Sequence, residues 1–399
     1  MPARRTIVCF SSQRWDDPLW TNKQHIMSRL GEQHRVLYVD FGAQGAPGLW
    51  LRQLGQRKAP SLRRPAVTRN GAVEVVKAWA PHVASLFPHG HQVRVHAHFD
   101  ARVRAVGRLL ESEGVEDAII WVYHPGYGSL PGALPHRLLV YDCVDEYSAF
   151  PAFRDSATWI AERERALCAA ADLVFCTSRS LFEAKSELAP GRCHLVHNVG
   201  DAAHFETATA AGTEPPADIR NLPRPIIGFV GAVSNYKLDL DWLEALARAR
   251  PGFSIVLIGP VGTADPATDV SRLRALPNVH LLGHRDYSLL PRYAAGFDVA
   301  VIPYRINAYT RSVFPIKFFE LLATGRPLVI SALPALEDYF DAVEVARDAE
   351  DFVAACERAL GDSDAGARER RLALARENSW PARVGRLMTL IEAELEPGG

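Results

Sequence analysis

The chain has 399 residues, 48% apolar and 23% charged, and its 45 basic and 46 acidic side chains leave a net charge of −1. That length accommodates two or three domains with full cores and needs no disulfide or metal staple. The near-zero charge argues against a nucleic-acid partner. No apolar run reaches the length of a membrane span, and Ile7–Phe10 is too short for a signal-peptide core.

Short β-branched runs alternate with amphipathic segments along the chain. In the first half, strands are predicted at Thr6–Ser11, Val36–Asp40, Val73–Trp79, Ala118–Tyr123, Arg137–Asp142, Leu173–Thr177 and His194–Asn198. Helical patterns cover Ala101–Glu113, Thr158–Ala171 and Ser180–Leu188. In the second half, strands are predicted at Ile226–Gly231, Ser254–Gly259, His280–Gly283, Val299–Pro303, Leu328–Ser331 and Glu344–Ala346. Strand and helix in alternation imply parallel sheets covered by helices on both faces. Residues 206–223 are rich in Ala, Thr and Pro, lack a period and read as a linker. The expected organisation is therefore α/β: a Rossmann-like domain over 1–205, the linker, a second such domain over 224–378, and a terminal helix in 379–399 that crosses back to the first domain. Neither half has Gly-x-Gly-x-x-Gly after its first strand, which disfavours a nicotinamide or flavin cofactor.

The six cysteines form no Cys-x-x-Cys pair and read as buried free thiols of a reducing cytoplasm. His89, His91, His96 and His98 have metal-like spacing but no neighbouring carboxylate or thiol, so no metal site is expected. Of the 45 basic residues only six are lysine, and Lys237 and Lys317 are the only two between residues 224 and 378. Lys237 follows the first strand of the second half, where a parallel sheet meets anions. Lys317 stands in Phe314-Pro315-Ile316-Lys317, where a helix begins and its N–H groups point outward. Both suit a diphosphate, and Lys237 suits stabilisation of a leaving diphosphate.

Residues 278–331 carry the order Asn-Val-x-x-x-Gly, a helix, Phe-Asp-Val-x-x-x-Pro, a loop, then Phe-Glu-Leu-Leu-Ala-x-Gly-x-Pro-Leu-Val. This order carries the main likeness: it resembles the donor-binding half of GT-B glycosyltransferases, most of all the retaining family 4. Upstream, Asp172–Ser178 resembles the last strand of their acceptor half, and Asn198-Val-Gly-Asp201 with Phe205 resembles a permuted form of their Asn-Gly-Val-Asp…Phe. Trp15-Asp16-Asp-Pro-Leu-Trp20 and Tyr141-Asp142-Cys-Val-Asp145 resemble a subgroup similar to teichuronic-acid-type polysaccharide transferases. The resemblance implies two Rossmann-like domains facing each other across a cleft. It implies transfer of a sugar, hexosyl in type, from a UDP- or GDP-linked donor to a hydroxyl of a glycan, lipid-linked sugar or small molecule, with retention at the anomeric carbon and without a metal or cofactor.

In the family, Glu320 holds ribose hydroxyls as the second acid of a Glu-x7-Glu motif. The first position is Ser312, a departure that shifts sugar contacts toward Ser312 itself, the 313–316 amides, Asn307 or Thr310. Gly231, Gly283, His284 and Arg285 are further donor-side candidates, the last three near the base. His124, at a strand end, is a candidate to bond the sugar and support oxocarbenium charge. Asp142, Asp145 and Glu146 cluster at the next strand end as base or acceptor contacts, with Trp15 and Asp16 also on the acceptor side. Residues 42–70 hold six basic and no acidic side chains among Trp50, Leu51 and Leu54, a pattern suited to peripheral contact with an anionic membrane at its cytoplasmic face. Two alternatives remain at this point: a GT-B sugar-nucleotide epimerase, and a degenerate transferase that binds or scaffolds without turnover.

Overall fold

The computed structural model of the chain describes residues 4–17, 19–41, 65–78, 91–263, 265–362 and 364–396, with 91–97 and 152 described by backbone alone. The basic stretch thus lies outside the described residues except for 65–70, as do His89 and the side chains of His91 and His96. The chain forms two compact units, Met1–Val196 with Val384–Gly399, and His197–Arg383.

The first unit holds strands β1 Thr6–Phe10, β2 Arg35–Val39, β3 Ala66–Asn70, β4 Val73–Lys77, β5 Ile119–Val122, β6 Leu138–Cys143, β7 Leu173–Cys176 and β8 Cys193–Leu195. Its helices are α1 Asn22–Leu30, α2 His91–Glu113, α3 Ala157–Ala170 and α4 Arg179–Ser186. The eight strands run in the order β3-β4-β2-β1-β5-β6-β7-β8, and every neighbouring pair is parallel except β3–β4. Burial is continuous along β5, β6 and β7, as a sheet covered on both faces requires. Val8, Phe10, Leu37, Val39, Ile120, Val122, Leu139 and Tyr141 form the centre of one core, each fully buried. Burying each such side chain favours folding by about 1.5–3 kcal/mol. The antiparallel strand β3 had no sequence signal: all five of its residues are exposed, so it lacks the apolar alternation that marks a strand. It hairpins onto β4 through Gly71, whose φ of +60° is open to glycine at little steric cost.

The second unit begins with helices α5 Ala202–Glu206 and α6 Ala217–Arg220. Strands β9 Ile226–Val230, β10 Ser254–Ile258, β11 Val279–Gly283, β12 Val299–Ile302, β13 Leu328–Ser331 and β14 Glu344–Ala346 follow. Between and after them lie α7 Leu240–Ala249, α8 Ser271–Arg274, α9 Leu290–Ala295, α10 Ile316–Leu322, α11 Ala349–Leu360 and α12 Ala365–Glu377. The last helix, α13 Trp380–Leu395, starts in this unit's span and ends in that of the first. The six-stranded parallel sheet has the order β11-β10-β9-β12-β13-β14. Caps define the helix starts: Asp239 accepts from the Trp242 N–H at α7, and Asp348 from the Asp351 N–H at α11. On α7, Leu240, Leu243, Leu246 and Ala247 make one buried stripe.

Residues 206–223, linker-like in composition, fold onto this unit, and the unit boundary falls at 196/197 rather than at 205. Ile219 is fully buried, while the Asp218 carboxylate accepts from the Tyr293 hydroxyl at 2.9 Å and the Arg285 guanidinium at 3.0 Å. Contacts such as these hold the segment, and composition does not register them.

Each sheet reverses its strand order once, between β1 and β5 in the first unit and between β9 and β12 in the second. Ligands of open parallel sheets bind outside the carboxyl ends of the strands at this reversal. The β9 and β10 ends in the second unit are drawn together. The Gly231 N–H donates to Ile258 O at 2.8 Å and the Gly259 N–H to Gly283 O at 2.9 Å. A Cβ on Gly259 would lie 1.9 Å from Gly231 O, so only glycine permits this approach.

Candidate functional site

In the second unit the reversal point carries both lysines singled out in the sequence. Lys237 sits in the turn between β9 and α7, with its Nζ 5.5 Å from the Tyr304 ring centre and 5.9 Å from that of Tyr309. Tyr304 follows β12, the strand beside β9 at the reversal. Burial pushes the Tyr304 hydroxyl up to about 12, against the pull of the nearby Lys317 ammonium. The Arg305 N–H donates to Lys237 O at 2.8 Å, which ties the Lys237 turn to the loop that leads from β12 toward Lys317.

Lys317 is in the first turn of α10, and its Nζ donates to Glu320 Oε2 at 2.8 Å. The Lys317 side chain is 22% exposed and that of Glu320 is 1% exposed. The second oxygen, Glu320 Oε1, accepts from the Tyr287 hydroxyl at 2.9 Å. Lys317 Nζ also lies 5.7 Å from the Tyr287 ring and 5.9 Å from the Phe205 ring. Tyr287 escaped the sequence reading because it stands in a short 3-10 turn, 33 residues before its partner, with no spacing rule to join them.

The motif Asn198-Val-Gly-Asp201 packs against this helix. Asn198 Nδ2 donates to Phe314 O at 2.7 Å, and Arg383 Nη1 donates to Asn198 Oδ1 at 2.7 Å. A Cβ on Gly200 would stand 2.6 Å from the Glu320 nitrogen, which explains the glycine. Asp201 caps α5, accepting from the His204 N–H.

The remaining donor-side candidates divide. Ser312 is 8% exposed in a 3-10 turn beside α10. The Phe314 ring, 3% exposed, stacks on His197 at 5.0 Å and on Phe319 at 5.7 Å. Pro315 and Ile316 open α10, where Pro315 precedes the first helical residue. Gly283 ends β11 at a φ of +71°, and His284 beyond it is exposed. Arg285 is bound to Tyr293 Oη at 2.7 Å, to Leu282 O and to Asp218, which holds it on the 206–223 segment. Asn307 and Thr310 build their own loop. Asn307 Oδ1 accepts from the N–H groups of Tyr309 and Thr310, and the fully buried Thr310 hydroxyl donates to Arg305 O. Ser234, one turn before Lys237, is a further polar group here, with its hydroxyl buried and unpartnered.

Residues 224–362 match the family described as Glycosyl transferases group 1. A Bacillus subtilis (strain 168) protein, TuaH, named as a teichuronic acid biosynthesis glycosyltransferase, is 30% identical over 281 residues, covering 66% of this chain and 69% of TuaH. The chain is a group 1 glycosyltransferase. Its fold is also that of solved GT-B enzymes. Sucrose-phosphate synthase from Thermosynechococcus elongatus superposes with a TM-score of 0.70 at 18% identity, covering 98% of this chain and 99% of that one. Anabaena Alr3699/HepE, solved with UDP, gives 0.65 at 14% identity over 98% and 100% of the two chains. The E. coli trehalose-6-phosphate protein bound with UDP-2-fluoro glucose gives 0.67 at 14% over 99% of each.

In the first unit of this glycosyltransferase, His124 follows β5 at the reversal point and is 2% exposed. Its Nδ1 accepts from the Gly126 N–H at 2.9 Å, which puts the ring proton on Nε2. That Nε2 is buried and unpartnered. The ring stacks on Phe99 at 4.8 Å and lies 4.6 Å from Tyr147. Burial, aided by the Lys23 and Arg102 cations, lowers its pKa to about 3, so the imidazole is neutral and its Nε2 carries an N–H available to donate. Asp142 is fully buried on β6 and accepts from Trp121 Nε1 at 3.3 Å. Asp145 follows at partial exposure. Glu146 pairs with Lys185 at 3.1 Å, and Lys185 pairs with Glu164 at 2.7 Å. Burial alone would lower the Lys185 pKa, but Cys143, Glu164 and Glu146 around it hold it above its ordinary value. Glu146 is thus one end of a structural ion network. Trp15 is 6% exposed and packs on Tyr38 at 4.9 Å, whereas Asp16 is exposed and paired with Arg14 at 2.7 Å. No helix among the described residues is long and apolar enough to cross a membrane.

Proposed function

We propose that this glycosyltransferase takes its sugar from a nucleoside-diphosphate donor bound in the second unit and delivers it, with retention, to a hydroxyl of a growing glycan or lipid-linked sugar. The observation that carries this reading is Lys237 beside Tyr304, in the turns that follow the two strands at the strand-order reversal, with the Lys317–Glu320 pair opening the helix to which the tied β12 loop leads. Two ammonium groups there suit a diphosphate, and a buried carboxylate suits the ribose hydroxyls. As the glycosidic bond breaks, negative charge grows on the leaving diphosphate. Lys237 and Lys317 stabilise that charge more than the ground state, which is what lowers the barrier. The diphosphate oxygen can then accept the proton of the incoming hydroxyl on the same face of the sugar, so retention needs no strong protein base. His124, neutral with its ring proton on the buried Nε2, is a candidate hydrogen-bond donor and supplies no charge. The solved neighbours titled with UDP and UDP-2-fluoro glucose support a uridine donor. The TuaH name supports a cell-envelope polysaccharide as acceptor class. An acceptor carried on a lipid also suits the basic residues of 42–70 as a peripheral membrane contact.

The test is a thermal-shift screen against UDP, GDP, dTDP and their sugars, followed by turnover with the donor that binds. Lys237→Ala, Lys317→Ala and Glu320→Ala should each weaken nucleotide affinity or turnover about tenfold or more, or ~1.4 kcal/mol. Unchanged affinity and rate in all three would remove the site assignment.

A further inference from the structure

Glu320 is covered, not open. Its side chain is 1% exposed, with the Lys317 ammonium on one oxygen and the Tyr287 hydroxyl on the other. A ribose reaches this carboxylate only when one of the two covers moves. Lys317 is the cover that a donor can draw away, because it is flexible, partly exposed and attracted by a diphosphate. Tyr287 is the cover that stays. Its ring stacks on His204 at 4.7 Å and 20° and meets the Phe205 edge at 6.0 Å. Its backbone oxygen lies 2.9 Å from His204 Nε2, and His204 is held in turn by α5 and its Asp201 cap.

We propose that Tyr287 is a positioning residue that holds Glu320 in register for a vicinal ribose diol, and so makes the site select ribo- over 2′-deoxyribonucleoside diphosphates. This rests on the donor reading above and refines it. The chemistry follows from acceptor counting. A carboxylate offers about four lone-pair positions. With one held by Tyr287, and Lys317 turned toward the diphosphate, both oxygens retain positions for two hydroxyl donors. A nucleotide that lacks the 2′-hydroxyl leaves a buried anionic acceptor unsatisfied, and such a loss costs about tenfold or more in affinity. Without the Tyr287 hydroxyl, a carboxylate released by Lys317 has no fixed orientation, and the diol loses its advantage. The motif Asn198–Asp201 with Phe205 thereby gains a role, since it supports the ring that orients the acid.

The experiment is calorimetric titration of the full-length protein and of Tyr287→Phe with UDP and 2′-deoxy-UDP, or with GDP and 2′-deoxy-GDP if the guanine nucleotide binds better. Phenylalanine keeps the ring and its stack on His204, so the comparison isolates the hydroxyl. The expected result is a preference of about tenfold or more for the ribonucleotide in the wild type, falling to about threefold or less in Tyr287→Phe. The ratio is taken within each protein, so a general loss of stability cancels. A Tyr287→Phe protein that keeps the wild-type ratio overturns the positioning role, and a wild type that binds both nucleotides alike overturns the selectivity. If neither UDP nor GDP binds the wild type while the protein melts cooperatively, the donor reading itself has failed, and this inference with it.

Discussion

Replacing Lys317 by methionine separates the structural part of the Lys317–Glu320 pair from its part in binding. The substitution keeps the aliphatic stem but removes the ammonium 2.8 Å from Glu320 Oε2. Glu320, 1% exposed, then keeps only the Tyr287 hydroxyl among the described residues. Leaving one member of a fully buried pair uncompensated costs about 3–5 kcal/mol. Lys317 is 22% exposed, so water already screens the pair and can reach the acid once the ammonium is gone. Discounting for that gives about 1–2 kcal/mol. In a unit spanning His197–Arg383 this lowers the melting temperature by about 2–8 °C. Differential scanning calorimetry without nucleotide measures it. Adding Glu320→Gln to Lys317→Met removes the stranded charge and should recover at least half of the loss, whereas nucleotide affinity should stay low in the double variant. A Lys317→Met protein that melts within about 1 °C of the wild type, or a double variant with no recovery, would refute the reasoning.

Gly259→Ala should destabilise the second unit by about 3 kcal/mol or more, because its Cβ would meet Gly231 O at 1.9 Å. Gly252→Ala, with nothing within 4 Å, should change stability by about 0.5 kcal/mol or less, and chemical denaturation of both variants checks the contrast. In the first unit, burial lowers His124 to about 3, against an unfolded value near 6.5. A depressed histidine stabilises the fold fully above its unfolded pKa, and that stability is lost as pH falls toward 3, because the unfolded chain binds the proton first. The loss is at most about 1.4 kcal/mol per pH unit below ~6.5. Denaturation of wild type and His124→Gln between pH 7 and 4 should show the flatter slope in the variant; equal slopes would argue against a neutral buried ring.

The sequence by itself determined the class and order of the elements. Strand and helix alternate with apolar runs long enough for β1, β5, β9 and β12, and burial on both faces of a sheet is written locally in each run. The scarcity of lysine pointed to Lys237 and Lys317 without any structure. The tertiary structure alone decided which polar groups meet. Tyr287 reaches Glu320 across 33 residues, Asp218 reaches Arg285 across 67, and Glu146 is tied to Lys185 across 39. None of these pairings has a period, since each depends on how a turn leaves its strand. The same limit hid the contacts of Phe314, Thr310 and Trp15, all of them buried: Phe314 on His197, the Thr310 hydroxyl on Arg305 O, and Trp15 on Tyr38. Hydrophobic periodicity is a local property repeated along the chain, whereas the partner of a buried charge is set by the fold as a whole.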